Sequence, residues 1–481
     1  MMNSVTSAMS SVQLDSEVVT LAPDLSERGA NDHVFVELGS ICSGKPPKPF
    51  PAGRKDDFNQ NNTVRMPFSS KCGAAQVALV KEGLKKLSEP QNLIDDVSRI
   101  IDSYQPGHLN YEALYTLFRK ILPLDLCRHY LYDVYPKIAK LALRLDELIT
   151  KPIPLLMSGK SGSVTFSQEQ LGFMHHKTYI NFSLMFGRGR KCKPEKLRCM
   201  LHYFDCVTKN MPTGLISVRR HCVNDQVDFT QSEAPICDLH VFEEGRIEDT
   251  GNQMLEIDFA NKFIGGGVLN SGAVQEEIRF MISPELIISM LVCERMAPNE
   301  VISIVGSQRF SDYKGYGDSF VYVERKQSEP VVRDRFNRIV SEVIAMNATS
   351  FSNAPFKQLH EESILGEIMK AYVGFDHVDT LNRPIATGNW GCGVFKGDKQ
   401  LKSLIQIAAA SIRGRKEVNY FTFNDAKLTQ ELREVHKLLV DKKVTAGELV
   451  RLLVAFKDSC KPVKPDNFAF FEFIAGSLSL K

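Results

Sequence analysis

Apolar residues recur at three- and four-residue spacing over Leu109–Leu122 and Asp125–Thr150, as in Leu141, Leu145 and Leu148, which predicts helices. Pro152 and Pro154 end that run. Ser167 with Gln170, and later Thr445 with Glu448, have capping-box spacing and predict two further helix starts. Arg188–Lys196 is basic and contains glycine, which predicts a solvated surface loop. From about Cys206 the period changes. Met254–Ala260, Val301–Val305 and Val418–Phe423 read as strands, and Val274–Val292, Ser363–Tyr372 and Gln400–Ile412 as helices. Such alternation predicts an α/β domain around a largely buried sheet. Residues 1–70 are rich in Ser, Asn, Pro and Gly, with a Pro/Lys stretch at Lys45–Pro51, and predict a mostly disordered tail. The expected organisation is a tail over 1–70, a helical accessory region over 71–205 and an α/β domain over 206–481.

Composition narrows the function classes. The 481 residues, 43% of them hydrophobic, suffice for a sizeable core. Lys and Arg number 59 against 57 Asp and Glu, a net charge of +2. That balance offers no global field for DNA or an acidic membrane, and no sequence-specific nucleic-acid binding is expected. The 11 cysteines are scattered, without a CxxC pair or zinc spacing, which suggests free thiols in a reducing compartment. The first residues lack the basic start and apolar stretch of a secretory signal. No apolar run approaches the roughly 20 residues that span a bilayer. A soluble, intracellular protein is expected, with neither metal nor cofactor.

The candidate chemistry concentrates in MLEIDFANKFIGGGVLNSGAVQEEIRFMI, residues 254–282. A strand pattern runs into Gly265, Gly266 and Gly267, and a helix pattern begins near Val274. Consecutive glycines let a ligand approach the backbone, and unshielded N–H groups beside a helix N-terminus suit a diphosphate. A lone glycine triplet is more often a flexible connection. Gln275, Glu276 and Glu277 follow. Two glutamates at a helix start also complement the helix dipole, but a carboxylate beside a bound phosphate is disfavoured, so its presence there suggests work. Neighbouring helical residues point about 100° apart, so the two acids should differ in role. Asp258 and Asn261 stand at the strand end, where ligands lie in open α/β sheets. Asn261 is suited to ribose hydroxyls; Asp258 is either a ligand contact or a cap that orders the loop.

Aromatic residues in two glycine-containing loops, and one aromatic strand end, add candidates. FSDYKGYGDSF (310–320) places Tyr313 and Tyr316 in a loop after a strand, as a stacking platform, a lid or packing residues. ATGNWGCGVFKGD (386–398) is a glycine-rich loop entering a helix and holds the only tryptophan, Trp390. YFTF (420–423) alternates aromatics at a strand end. One of these segments could cover a purine or ribose; core packing is the default for the others.

The glycine triplet followed after seven residues by QEE resembles the signature of the poly(ADP-ribose) glycohydrolases. KPIPLL (151–156), SQEQ (167–170), KPEKL (193–197), PTGLIS (212–217), DFANKFIGGGV (258–268), QEEIRFMISPELI (275–287), ATGNWGCG (386–393) and YFTF resemble the family in the same order, over roughly residues 110–455. The resemblance implies a macrodomain, an α/β/α sandwich with a mixed sheet, preceded by a helical accessory domain. It implies that Gly265–Gly267 wrap a diphosphate and that Glu277 is the acid/base residue. By the same resemblance Glu276, Asn261 and Gln275 hold the riboses and the scissile region, and Ile247 and Glu248 face adenine. Tyr316 would close over the ligand, Phe423 position the distal ribose and Asn389 line the adenine side. Two departures stand out: a shorter chain between Phe173 and Tyr179, and a short N-terminal extension.

The implied reaction hydrolyses ribose–ribose O-glycosidic bonds of poly(ADP-ribose), mainly from chain ends, through an oxocarbenium-like transition state. Catalytic carboxyls are expected at Glu277, Glu276 and Asp258. Expected partners are poly(ADP-ribose), poly-ADP-ribosylated proteins and the product ADP-ribose, in the nucleus or cytoplasm, within the DNA damage response. A binding module that holds ADP-ribose uncut, and an inactive scaffold for repair partners, are the rival readings.

Overall fold

The structure is a computed structural model describing residues 21–27, 29–42, 45–51, 62–66, 73–105, 109–172, 189–250, 254–325, 331–376, 383–459 and 468–479. The strands are β1 (Asp32–Val34), β2 (Gly162–Ser167), β3 (Leu215–Cys222), β4 (Asp238–Phe242), β5 (Leu255–Asp258), β6 (Glu300–Gly306), β7 (Ser311–Lys314), β8 (Val321–Glu324), β9 (Ile339–Ala345), β10 (Ile385–Gly388) and β11 (Glu417–Phe421). Nine of them form one sheet in the order β1-β2-β3-β6-β9-β5-β10-β11-β4, while β7 and β8 make a separate hairpin. From β9 to β4 every pairing is parallel; β2, β3, β6 and β9 pair antiparallel. The central β6 and β9 are buried at every position, as strands covered on both faces must be.

Helices cover both faces. On one lie the helical region and the helices α1 (Lys193–Lys209) and α2 (Gln275–Ile282), in a single apolar core with residues of β3 and β6. On the other lie α3 (Glu361–Gly374), α4 (Lys399–Ile412), α5 (Ala426–Asp441), α6 (Ala446–Ser459) and α7 (Phe470–Ser479). The result is the expected α/β/α sandwich with a mixed sheet. Both capping boxes close reciprocally: Ser167 with Gln170, and Thr445 with Glu448.

Several expectations need correction. The tail is not all outside the fold: β1 pairs with β2, and Leu21, Leu25 and Val36 are buried. β2 in turn comes from the region expected to be helical, so the sheet draws strands from both segments ahead of residue 206. Val274–Val292 is not one helix. Ser283 leaves helical geometry at φ −130° and ψ 75°, because a residue preceding proline is pushed out of the α region, and Pro284 opens a new turn. The basic surface loop ends early, since α1 begins at Lys193 and buries Lys196 completely; Arg188 lies outside the described residues, as does the shortened stretch from Phe173 to Tyr179.

Candidate active site

Four parallel strands, β4, β5, β10 and β11, end on the same side of the sheet, and a cleft of about 570 Å³ opens there. Such strand ends are the usual ligand side of α/β sheets. The loop from β5 to α2 forms one wall. Its backbone is folded around two carboxylates. Glu276 accepts from the N–H groups of Asn261 (2.9 Å) and Gly265 (2.6 Å). Glu277 accepts from Gly267 (2.9 Å) and Val274 (3.0 Å). The glycines are required by these carboxylates. A Cβ at Gly266, where φ is +49°, would lie 2.7 Å from Glu276 Oε2 and 2.8 Å from Glu277 Oε1. A Cβ at Gly272 would lie 2.4 Å from Glu277 Oε1.

The N–H groups of Gly265–Gly267, where a diphosphate seat is expected, are engaged within the protein: their acceptors are Glu276, Phe263 and Glu277 respectively. None of the three glycines lines the cleft. Gln275 is likewise engaged, accepting from Phe259 N–H (2.8 Å) and donating to Ile257 O (3.1 Å). It lines the cleft, and its amide ties the loop to the end of β5.

Three carboxyls share this small volume. Asp258 does not line the cleft; it is fully buried, and neither carboxylate oxygen has a partner among the described residues. Burial pushes its carboxyl well above the usual range, and the Glu277 charge adds to the effect. Burial also holds Glu276 above its usual range, as do Asp258 and Glu277, against the pull of the Asn261 and Gly265 N–H groups. Neighbouring like charges in a desolvated site cannot all ionise, so the cluster stores protons. Asp258 belongs to that store and does not reach the cleft surface.

The remaining walls carry the other expected residues. Ile247 and Glu248 form a short turn lining the cleft, with Glu248 Oε1 accepting from Tyr313 O–H at 2.5 Å. Tyr313 is not a loop residue but a buried member of β7. Tyr316 does lie in a turn, tied to the β5–α2 loop through Gly317 N–H and Ala273 O (2.8 Å). Its ring meets Phe423 with centroids 5.3 Å apart. Phe423 is not held by a strand: β11 stops at Phe421, and Phe423 stands 61% exposed on a turn at φ +60°. A side chain in left-handed backbone costs about 1–2 kcal/mol. Asn389 lines the cleft while its amide bridges Thr422 O (3.0 Å) and Tyr420 O–H (3.1 Å). Trp390 is core, fully buried with Nε1 donating to Met346 O.

Within the glycine-rich stretch 386–398, singled out from sequence as a segment that could cover a purine or ribose, Gly391–Phe395 lines the cleft. Among the described residues nothing accepts from the N–H groups of Gly391, Gly393, Val394 or Phe395. The glycines of ATGNWGCGVFKGD were a visible signal, but a sequence does not tell which way backbone N–H groups point. Among the described residues no helix is long and apolar enough to cross a membrane, and no group of three His, Cys, Asp or Glu could hold a metal ion.

A mixed sheet between helical layers, with a carboxylate-walled cleft at its parallel strand ends, defines a macrodomain-type α/β protein with an added helical region. Residues 226–430 match the macro domain fold of the poly(ADP-ribose) glycohydrolase family, and residues 124–174 and 172–220 match its helical domain. The helical-domain match ends at residue 220 and the macro-domain match begins at residue 226. Similar proteins include poly(ADP-ribose) glycohydrolase 1 of Caenorhabditis elegans, 32% identical over 375 residues, covering 73% of this chain and 47% of that protein. Poly(ADP-ribose) glycohydrolase 2 of the same organism is 32% identical over 345 residues, 67% of this chain and 70% of the relative. Poly(ADP-ribose) glycohydrolase 1 of Arabidopsis thaliana is 29% identical over 471 residues, 76% and 84% of the two chains. The chain belongs to the poly(ADP-ribose) glycohydrolase family.

Proposed function

We propose that this chain hydrolyses ribose–ribose O-glycosidic bonds of poly(ADP-ribose), working from chain ends and releasing free ADP-ribose, with Glu277 as general acid and base. The observation that carries this reading is the setting of Glu277. It lines the cleft while two N–H groups fix its carboxylate, and proton transfer depends on such fixed geometry. In the first step Glu277 gives its proton to the departing ribose oxygen as the bond to the anomeric carbon breaks. The electron pair leaves with that oxygen, and positive charge develops on the remaining ribose. A water then attacks the anomeric carbon, and Glu277 takes the water's proton, restoring its starting state.

The diphosphate is assigned to the free N–H groups of Gly391, Gly393, Val394 and Phe395 in place of the glycine triplet, since backbone N–H groups with no acceptor are natural oxyanion seats. Asn261, Ile247, Glu248 and Asn389 line the cleft, and the riboses and adenine are assigned to them. A volume of about 570 Å³ suits one small ligand, which supports cleavage at chain ends. The substrates would be poly-ADP-ribosylated proteins of the nucleus or cytoplasm, within the DNA damage response.

The test is incubation of the purified chain with radiolabelled poly(ADP-ribose). Label is expected in ADP-ribose monomer from the earliest times. Intermediate-length oligomers appearing first would replace chain-end cleavage with internal cleavage. Binding of ADP-ribose with no label released would make the chain a binding module.

A further inference from the structure

We infer that Lys196, carried by the helical region, is a positioning residue for Glu277: its ammonium fills a crown of three loop carbonyls and so turns the loop's N–H groups toward the carboxylate. This rests on the catalytic assignment of Glu277. Lys196 Nζ donates to Gly272 O (2.5 Å), Asn270 O (3.0 Å) and Gly267 O (3.4 Å). Those carbonyls belong to the segment joining the glycine triplet to α2. Gly267 sits at the junction: its carbonyl faces Lys196, and its N–H donates to Glu277 Oε1 at 2.9 Å. Gly272 closes the ring by donating to Gly267 O (3.0 Å), and a Cβ on it would lie 2.4 Å from Glu277 Oε1. Pulling the carbonyls to one side of this ring leaves the other side to the carboxylate.

The arrangement costs stability, which argues for a use. Lys196 is fully buried and forms no ion pair among the described residues. A desolvated ammonium neutralised only by carbonyl dipoles is expensive, and an apolar side chain of similar volume would avoid the penalty. Its neighbour has a parallel task. Glu195 accepts from Tyr322 N–H (3.0 Å), anchoring the β7–β8 hairpin whose connecting turn bears Tyr316. Consecutive residues of α1 thus hold two walls of the cleft, and the helical region is part of the catalytic apparatus.

Three titratable groups face Lys196 from its own segment, Cys192, Lys193 and Cys199, and Glu277 faces it from α2. Burial pushes the ammonium down to about 8, against the opposing pull of Cys192 and Glu277. A neutral amine has one donor fewer and turns a lone pair toward a carbonyl, so the crown should loosen as pH rises through about 8.

The experiment compares the full wild-type chain with Lys196→Met and Lys196→Ala. ADP-ribose release is measured from pH 6 to 10 (about two units either side of 8), with ADP-ribose affinity and melting temperature. In Lys196→Met kcat should fall about 10²-fold, the scale for misplacing a reacting group by about 1 Å. Its ADP-ribose affinity should stay within about threefold. The wild-type fall in kcat above pH 8 should be absent from Lys196→Met. Propylammonium should restore Lys196→Ala by roughly tenfold, 1.4 kcal/mol in barrier, and tetramethylammonium at equal ionic strength should not. A Lys196→Met kcat within about threefold of wild type, or equal rescue by both cations, overturns the inference. If neither variant folds, a wild-type kcat flat through pH 8 overturns it and a fall there upholds it. A wild-type chain that releases no ADP-ribose refutes the activity itself; an active wild type with indifferent Lys196 variants refutes only this role.

Discussion

Two glycine-rich loops leave neighbouring parallel strands, β5 and β10, at the same end of the sheet and enter helices on its opposite faces. In composition they are alike. In the β5 loop the N–H groups turn inward and are consumed by Glu276, Glu277 and Phe263 O. In the β10 loop four N–H groups have no acceptor among the described residues. The first loop builds a mount for acids; the second is the proposed anion seat. Glycine serves the first by making room for carboxylates and the second by exposing backbone. What lies beneath differs too. The β5 loop rests on the lone Lys196 ammonium. The β10 loop rests on a paired cluster, where Glu367 binds Lys370 (2.7 Å) and Lys402, and Lys402 Nζ lies 3.7 Å from the centroid of Trp390.

The largest expected effect tests the mount. Glu277→Gln keeps shape but cannot carry a proton, so turnover should drop about 10²–10⁴-fold with ADP-ribose affinity retained. Activity within about threefold of wild type would move the acid/base role to Glu276. Next comes Gly266→Val. Its side chain would enter the space of both carboxylates at a left-handed φ of +49°, and kcat should fall about 10²-fold. Because the N–H groups of the β5 loop glycines already have acceptors, ADP-ribose affinity measured by calorimetry should change far less than kcat. A loss confined to affinity would return the diphosphate to the triplet.

The pH dependence of stability probes the cluster under the β10 loop. Burial alone would raise the Glu367 carboxyl, but Lys402 and Lys370 outweigh it and hold the group down to about 2, from an ordinary 4.5. A lowered carboxyl stabilises the fold above its unfolded value and loses that contribution as pH falls. Stability on the order of 3 kcal/mol should therefore fade between about pH 5 and 2, visible in thermal melts. Lys402→Met should flatten that profile, and an unchanged slope would dismiss the cluster. The smallest effect should come from Gly393→Pro, which removes one N–H from the proposed anion seat. A charge-assisted hydrogen bond is worth about 1.5–3 kcal/mol, so the dissociation constant for ADP-ribose should rise roughly tenfold or more with the melting point nearly kept. Unchanged binding would clear the β10 loop of phosphate contact.

Sequence made the carboxylates and strand ends legible because they depend on local order: a β-pattern, a glycine run, then a helix start. The capping boxes were legible for the same reason, each being a contact across three residues. What stayed hidden depends on direction or distance. The same triplet permits N–H groups to face a ligand or a carboxylate, and only Glu276 and Glu277 folding back decide it. Lys196 looked like part of a solvated basic loop because its three carbonyl partners lie more than 70 residues away. Phe423 looked like a strand residue because YFTF alternates, yet Phe423 and Asn424 both adopt positive φ, which aromatic composition does not announce.

The pairing of β1 with β2 bears on how the chain is made. Ser163 lies opposite Asp32 and donates to its carboxylate, 131 residues further along. At translation rates of about 5–20 residues per second, β1 leaves the ribosome on the order of ten seconds before its partner exists. Arg338 arrives later still, and its buried guanidinium donates to the carbonyls of Leu21 and Pro23. The apolar side chains of Leu21, Leu25 and Val36 therefore stay unclaimed for most of synthesis. Their capture should be among the last events of folding, so nascent chains stalled short of residue 338 should expose them to chaperones and proteases that ignore the finished protein.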